Sequence, residues 1–516
     1  MSTAVTVREL MHQPPVVARR EMSAPELARL LDGARVGAAA VLDGEERVIG
    51  IVTERDLLRA LGTGLDPATP VGTLMSPSPV SLNADNPVAV ALEIFREHHF
   101  RHLPVLDRGH LVGMLSIRHI VRVAHIEDVR AAGSAPTVAP PGLEGVAVAE
   151  TAVGDVRGEE GFFHYRGYDA TQLARRCSFE QVWHLLLMGE LPDTGQLAAF
   201  RERARAAREL APAVADLLAP LSQVEPYAPL DALRTALSLV ATSLHLRPTL
   251  DASRDEVLDA ALRLTAAAPV VLMRQYRAHR GDPPVEADAD LGYAGAYLHL
   301  LTGRRPEAEA ARALEQYLIL TMDHGFNAST FTARVIASTG ADVGAAVVGA
   351  LGALSGPLHG GAPSRALDTL DAIGTPDRAR AVLTEQVQHG ERLMGFGHRV
   401  YKTDDPRSTL LREVALRLGG AQAEFARSVE ATALEVLQEL KPGRRLYTNV
   451  EFYAGVVMNT VGVPRDMFTP TFACSRLAGW TAAVCEQAQH NRLIRPSAIY
   501  VGPPAPRPLP DGYTYA

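Results

Sequence analysis

The sequence predicts a chain of more than one domain, an N-terminal α/β pair followed by a mostly α-helical body. Three observations carry this. The first ~125 residues repeat themselves at a period of about 63. A stretch rich in proline, alanine and small polar residues follows, AAGSAPTVAPPG over Ala131–Gly142, with no helical or strand period. Beyond it, apolar-striped helical runs with start and stop signals recur as far as Glu486, with few strand-like alternations. A chain of 516 residues, 47% of them hydrophobic, can fill more than one core.

The repeat shows most clearly at the ends of its halves. They open with VRELM (Val7–Met11) and VGTLM (Val71–Met75), and close with RVIGIVTERDLLRAL (Arg47–Leu61) and HLVGMLSIRHIVRV (His110–Val123). Short β-branched runs that feed helical patterns imply two α/β units, over residues 1–63 and 64–128. Residues 129–142 read as a linker and 143–516 as the helical body. Within the body, SFEQVWHLLLMGELP has Ser178 as an N-cap, Gln181 placed to close a capping box, and Gly189 and Pro192 as stop signals. The least polar run, Val343–Leu358, is shorter than the ~20 residues a bilayer requires. It reads as a buried core or interface helix whose glycines and alanines admit another helix closely.

Composition narrows the function classes. With a net charge of −8, nothing global draws the chain to nucleic acid, and an anionic ligand needs a local basic cluster. Three cysteines, Cys177, Cys474 and Cys485, without CxxC spacing, argue against a disulfide framework and a zinc site. The start MSTAVTVREL has neither a signal-peptide nor a transit-peptide pattern, and the expected location is the cytoplasm, with no membrane association.

Three histidines stand in unusual company: His324 in MDHGFNASTFTAR, His359 in GPLHGGAPS, and His398 in GFGHRVYKTDDPR. A histidine among glycines can offer a ring nitrogen and nearby backbone amides to a small polar ligand. Any one of them alone reads most simply as a core residue; three such segments weaken that reading. Arg407, Arg476 and Arg495 could be surface charge, or could present the planar guanidinium fork that suits a carboxylate.

The N-terminal halves resemble a tandem pair of CBS motifs, on GIVTERD and GMLSIRH. That resemblance implies adenine nucleotides, AMP or ATP, as effectors, with Thr53 near phosphate and Asp56 on the ribose. The second half has Ser116 but His119 where the aspartate is expected, so one intact site is expected. A purely structural, dimerising pair is the alternative.

The body resembles citrate synthase, from GLEGVAVAETAVGDVRGEEGFFHYRGYD at Gly142 to RPSAIYVGP near the end, through the ordered motifs YRGYD, DHGFNAST, GPLHGG, GFGHRVYKTDDPR and SRLAGW. The resemblance implies condensation of acetyl-CoA with oxaloacetate, with no tightly bound cofactor and no metal. His359 would then donate to the forming enolate and His398 would polarise the ketone. His324, Arg407 and Arg476 would supply cations for the two carboxylates, with Arg495 offered by the other subunit of a homodimer, and Lys402 would lie near the CoA phosphates. A smaller domain of about residues 362–460 would close over the cleft, and the CBS pairs leave room for higher assembly.

The chain departs from the family at the base. YTNVEFYAG (Tyr447–Gly455) places Glu451 where an aspartate is usual, one methylene longer, and Pro363 replaces an asparagine after His359. Two further readings stand beside citrate formation: a 2-methylcitrate synthase using propionyl-CoA, and a catalytically silent sensor of dicarboxylate or CoA ester and nucleotide.

Overall fold

The computed structural model describes residues 6–34, 36–62, 66, 68–98, 102–116, 139–143, 145–359, 362–398, 400–503 and 507. The chain forms two compact units, one of Met1–Val138 with Ser497–Ala516, the other of Ala139–Pro496.

The first unit holds, in order, α1 (Val7–Leu10), β1 (Val17–Arg19), α2 (Ala24–Ala34), β2 (Ala38–Leu42), β3 (Val48–Thr53), α3 (Glu54–Gly62), α4 (Val71–Leu74), β4 (Ser76–Pro77), β5 (Leu82–Asn83), α5 (Val88–His98), β6 (His102–Asp107) and β7 (His110–Ser116). One sheet runs β1-β2-β3-β4 and the other β5-β6-β7. Each begins with a short strand parallel to the next, followed by an antiparallel hairpin, so the sequence repeat is a structural one.

The halves are interleaved, which the repeat boundaries alone do not show. Val7 of α1 lies in the second half's core with Leu82, Phe95 and Val105, while Val71 of α4 lies in the first half's core with Leu27, Val41 and Val52. Backbone bonds fix both exchanges: Val7 N–H donates to Asn86 O at 2.9 Å, and Val71 N–H to Met22 O at 2.7 Å. A side chain on Gly50 or Gly113 would overlap the sulfur of Met75 or Met11, the residues that end these two helices.

The second unit opens with an antiparallel sheet of β8 (Gly154–Arg157), β9 (Phe162–Tyr165) and β10 (Tyr168–Asp169), so YRGYD lies at a hairpin the helical reading did not anticipate. Helices follow: α6 (Ala170–Arg176), α7 (Phe179–Met188), α8 (Thr194–Ala206), α9 (Pro212–Leu221), α10 (Pro229–Ser243), α11 (Arg254–His279), α12 (Tyr293–Thr302), α13 (Ala308–Thr321), α14 (Ala328–Ser338), α15 (Val343–Leu354), α16 (Ala362–Ile373), α17 (Ala379–Gln388), α18 (Pro406–Leu418), α19 (Ala421–Leu440), α20 (Val450–Thr460) and α21 (Phe468–Gln489). Ser178 and Gln181 form the expected capping box of α7, and Gly189 ends the helix in the left-handed region.

Of the 22 residues of α21, 17 are buried, which makes it an axis of the core and carries Arg476 inside. A Cβ on Gly479 would overlap the Met322 carbonyl, so this glycine lets the chain before His324 lie directly on α21. Among the described residues no helix is long and apolar enough to cross a membrane, and α15 is a partly buried helix that ends at Leu354.

Candidate active site

Three helix starts bring the site together, because the residues that cap them are neighbours of the candidate functional groups. Asp405 caps α18, with Pro406 at the first helical position, where its missing N–H costs nothing. Its Oδ1 accepts from the main chain N–H of Arg407 at 3.0 Å and from Arg407 Nε at 3.0 Å; its Oδ2 accepts from Arg407 Nη2 at 2.8 Å. Both residues are buried. Burial alone would lower the Arg407 pKa, but Asp405 raises it, and the cation persists. The fork expected to face a carboxylate is thus partly spent inside the protein, leaving the remaining guanidinium protons for a ligand.

Asp405 Oδ2 also accepts from the Val450 N–H at 3.0 Å, at the start of α20. Asn449 caps that helix through Glu451 N–H at 3.0 Å. The Asn449 side-chain amide donates to Gly397 O at 2.9 Å, and its main-chain N–H to Gly395 O at 2.9 Å. Arg407, Glu451 and the segment before His398 therefore share one hydrogen-bonded frame. Burial pushes the Glu451 carboxyl up to about 7, against the pull of Arg407.

His398 Nδ1 accepts from the Val400 and Tyr401 N–H groups at 3.0 and 3.1 Å. A neutral ring so held carries its proton on Nε2, which stands 3.3 Å from Arg407 Nη2. Burial, then Arg407, lowers its pKa to about 4.

His324 Nε2 lies 3.0 Å from the Tyr401 hydroxyl. Burial first, then Arg407, His398 and Arg476, hold His324 well below its ordinary value. The resemblance led us to expect a cation here; burial first, and then the positive charge of Arg407 and Arg476, favour the neutral ring instead. Arg476 donates from Nε to Thr321 O at 2.7 Å, its guanidinium over the Phe472 ring at 4.4 Å, and burial lowers it to about 10.

His359 Nε2 stands 2.8 Å from Ser329 Oγ. That oxygen also accepts from the Trp480 indole N–H at 3.0 Å, and its hydroxyl donates to Oδ1 of Asn327, the cap of α14, at 2.8 Å. Burial, then Arg476, lowers His359 to about 4. Pro363 is the second residue of α16.

The Lys402 side chain is exposed, and its N–H donates to Gly158 O at 3.1 Å. Arg495 is exposed beyond α21. In the first unit, Asp56 Oδ2 accepts from Thr53 N–H at 2.9 Å and Thr53 Oγ1 at 2.7 Å, so the two residues pair across the start of α3. Ser116 is buried, and His119 lies outside the described residues. Asp405, Asn449, Ser329 and Tyr401 escaped the sequence reading; an aspartate before proline and an asparagine before a helical run are readable caps, whereas nothing marks Tyr401.

The model of the citrate synthase C-terminal domain matches residues 142–497, and that of the CBS domain matches 7–63 and 71–126. The chain is 38% identical over 362 residues to a 2-methylcitrate synthase of Shewanella oneidensis, covering 70% of this chain and 94% of that protein. It is 39% identical over 363 residues to a citrate synthase of Haloferax volcanii, covering 70% and 95%. Among solved structures, the citrate synthase of Thermotoga maritima matches with a TM-score of 0.63 at 34% identity, covering 72% of this chain and 98% of that one. That of Thermoplasma acidophilum, a ternary complex with carboxymethyl coenzyme A and oxaloacetate, matches with a TM-score of 0.65 at 29% identity, covering 72% and 98%.

Proposed function

Since this chain belongs to the citrate synthase family, and is an acyltransferase-type enzyme with an N-terminal pair of CBS domains, we propose that it condenses acetyl-CoA with oxaloacetate to give citrate and CoA. The observation that carries this reading is the frame in which Asp405 and Asn449 tie Arg407, Glu451 and the His398 loop together.

A thioester methyl is a very weak carbon acid, so enolisation needs a base on one side and a donor to the oxygen on the other. Glu451, with its carboxyl near neutrality, takes the methyl proton. His359 donates from Nδ1 to the thioester oxygen once the Ser329 hydroxyl turns from Asn327 Oδ1, to which it donates here, towards His359 Nε2. His398, neutral with Nε2–H, polarises the ketone. Arg407 and Arg476 hold the two carboxylates, His324 adds a neutral hydrogen bond, and Arg495 comes from the second subunit of a homodimer, a role its exposure supports. Lys402 faces the CoA phosphates. Closure of the smaller domain, about residues 362–460, excludes water from the enol, and hydrolysis of the citryl thioester releases CoA.

Relatives named for citrate and for 2-methylcitrate at 39% and 38% identity favour a second donor, propionyl-CoA. One methyl changes binding by only ~1–3 kcal/mol. Adenine nucleotide at Thr53 and Asp56 would regulate the enzyme, which acts in the cytoplasm. Thiol release with oxaloacetate and each acyl-CoA tests the reading: turnover that Glu451→Gln abolishes is expected, and undiminished turnover in that variant would remove Glu451 as base.

A further inference from the structure

Tyr401 is buried, and its ring packs against both substrate histidines, 4.9 Å from that of His398 and 5.4 Å from that of His324. The Arg407 guanidinium lies 5.6 Å from the same ring. Tyr401 follows the His398 loop, whereas His324 lies between α13 and α14, so the 3.0 Å contact of its hydroxyl with His324 Nε2 ties two separate segments. Among the described residues the hydroxyl has no second hydrogen-bond partner.

We propose that Tyr401 is a positioning residue of the dicarboxylate subsite, whose hydroxyl pairs with His324 so that the pair always presents a proton to an anion. Two neutral groups share one hydrogen bond. If the phenol donates to Nε2, the imidazole keeps its N–H on Nδ1; if Nε2–H donates to the phenol oxygen, the phenolic proton is left over. Either arrangement leaves one donor and satisfies the buried nitrogen. Burial keeps both groups uncharged, since it raises the phenol pKa and lowers that of the imidazole. Without the hydroxyl nothing fixes the tautomer or pairs the buried Nε2, and a proton that settles on Nε2 leaves a bare Nδ1 lone pair for the ligand, which repels a carboxylate.

This inference rests on the reading of the site as an oxaloacetate site. Its test is oxaloacetate binding by calorimetry on the full-length wild type, Tyr401→Phe, His324→Asn and the double variant, with melting temperature and acyl-CoA KM recorded for each. Tyr401→Phe is expected to weaken oxaloacetate binding about tenfold. It should leave acyl-CoA KM within about twofold, and add nothing in the His324→Asn background, because coupled residues are not additive. Wild-type affinity in Tyr401→Phe, a full further loss in the double variant, or a fall in melting temperature that weakens both substrates alike would each overturn it. A wild type that takes up no oxaloacetate would overturn the functional reading as well, an outcome separate from these three.

Discussion

Glu451 is a carboxyl group kept where ionisation is costly, and its chemistry and its cost have the same origin. Burial raises its pKa to about 7 from an ordinary 4.5. The proposed role as base requires it ionised, so kcat/KM for the acyl donor should fall about tenfold per pH unit below ~7. The stability effect runs the other way. Between pH 4.5 and 7 the folded state holds a proton that the unfolded state has lost, so stability falls as pH rises through this window, and the penalty is complete above it. Glu451→Gln should therefore melt higher than wild type at pH 8, by roughly 2 kcal/mol at Tm, and should match it at pH 4.5; a variant less stable at pH 8 would contradict the assignment. Glu451 became a candidate through the resemblance of YTNVEFYAG to the family segment that carries an aspartate at that place. The role of Asp405 was not read from the sequence, although it sits inside the same string as His398. Asp404 and Asp405 are adjacent and chemically identical, yet one is exposed and the other buried against Arg407; the Asp-Pro order marks Asp405 as a cap, but no pattern records that its carboxylate also pairs with the Arg407 side chain.

At the scale of elements, the site is built where helices begin. Asn327, Asp405 and Asn449 each satisfy a free N–H at the start of α14, α18 or α20, and each also touches a neighbour of a functional side chain. Removing such a cap costs about 1 kcal/mol in general. Asn449→Ala should cost 1–2 kcal/mol in a denaturant melt, because the bond to Gly397 is lost too. Its effect on kcat should exceed that, since a displacement of ~1 Å in a catalytic group can cost on the order of 100-fold. Equal changes in stability and rate would reduce Asn449 to an ordinary cap. The capping box at Ser178 was readable from sequence, since its signal lies within four residues. The sheet of β8–β10 was not, because strands of two to four residues are too short to show a period.

At the scale of the whole molecule, the described residues of the large cluster begin at Val153, and those of the first unit's clusters end at Leu115. If the CBS pair is regulatory, AMP or ATP should alter turnover or melting temperature of the full chain, and Asp56→Ala should remove the response; a chain indifferent to both nucleotides would leave the pair a structural module. The tandem repeat was visible in the sequence as a period, but the exchange of α1 and α4 was not, because period reports similarity and says nothing about which copy fills which gap. A lone repeat has an open slot in its own core and an opening helix with no slot of its own to fill, and only a second copy supplies both. A chain with one such repeat would need a second chain to fill its core, whereas this chain carries both partners of that encounter on one polypeptide.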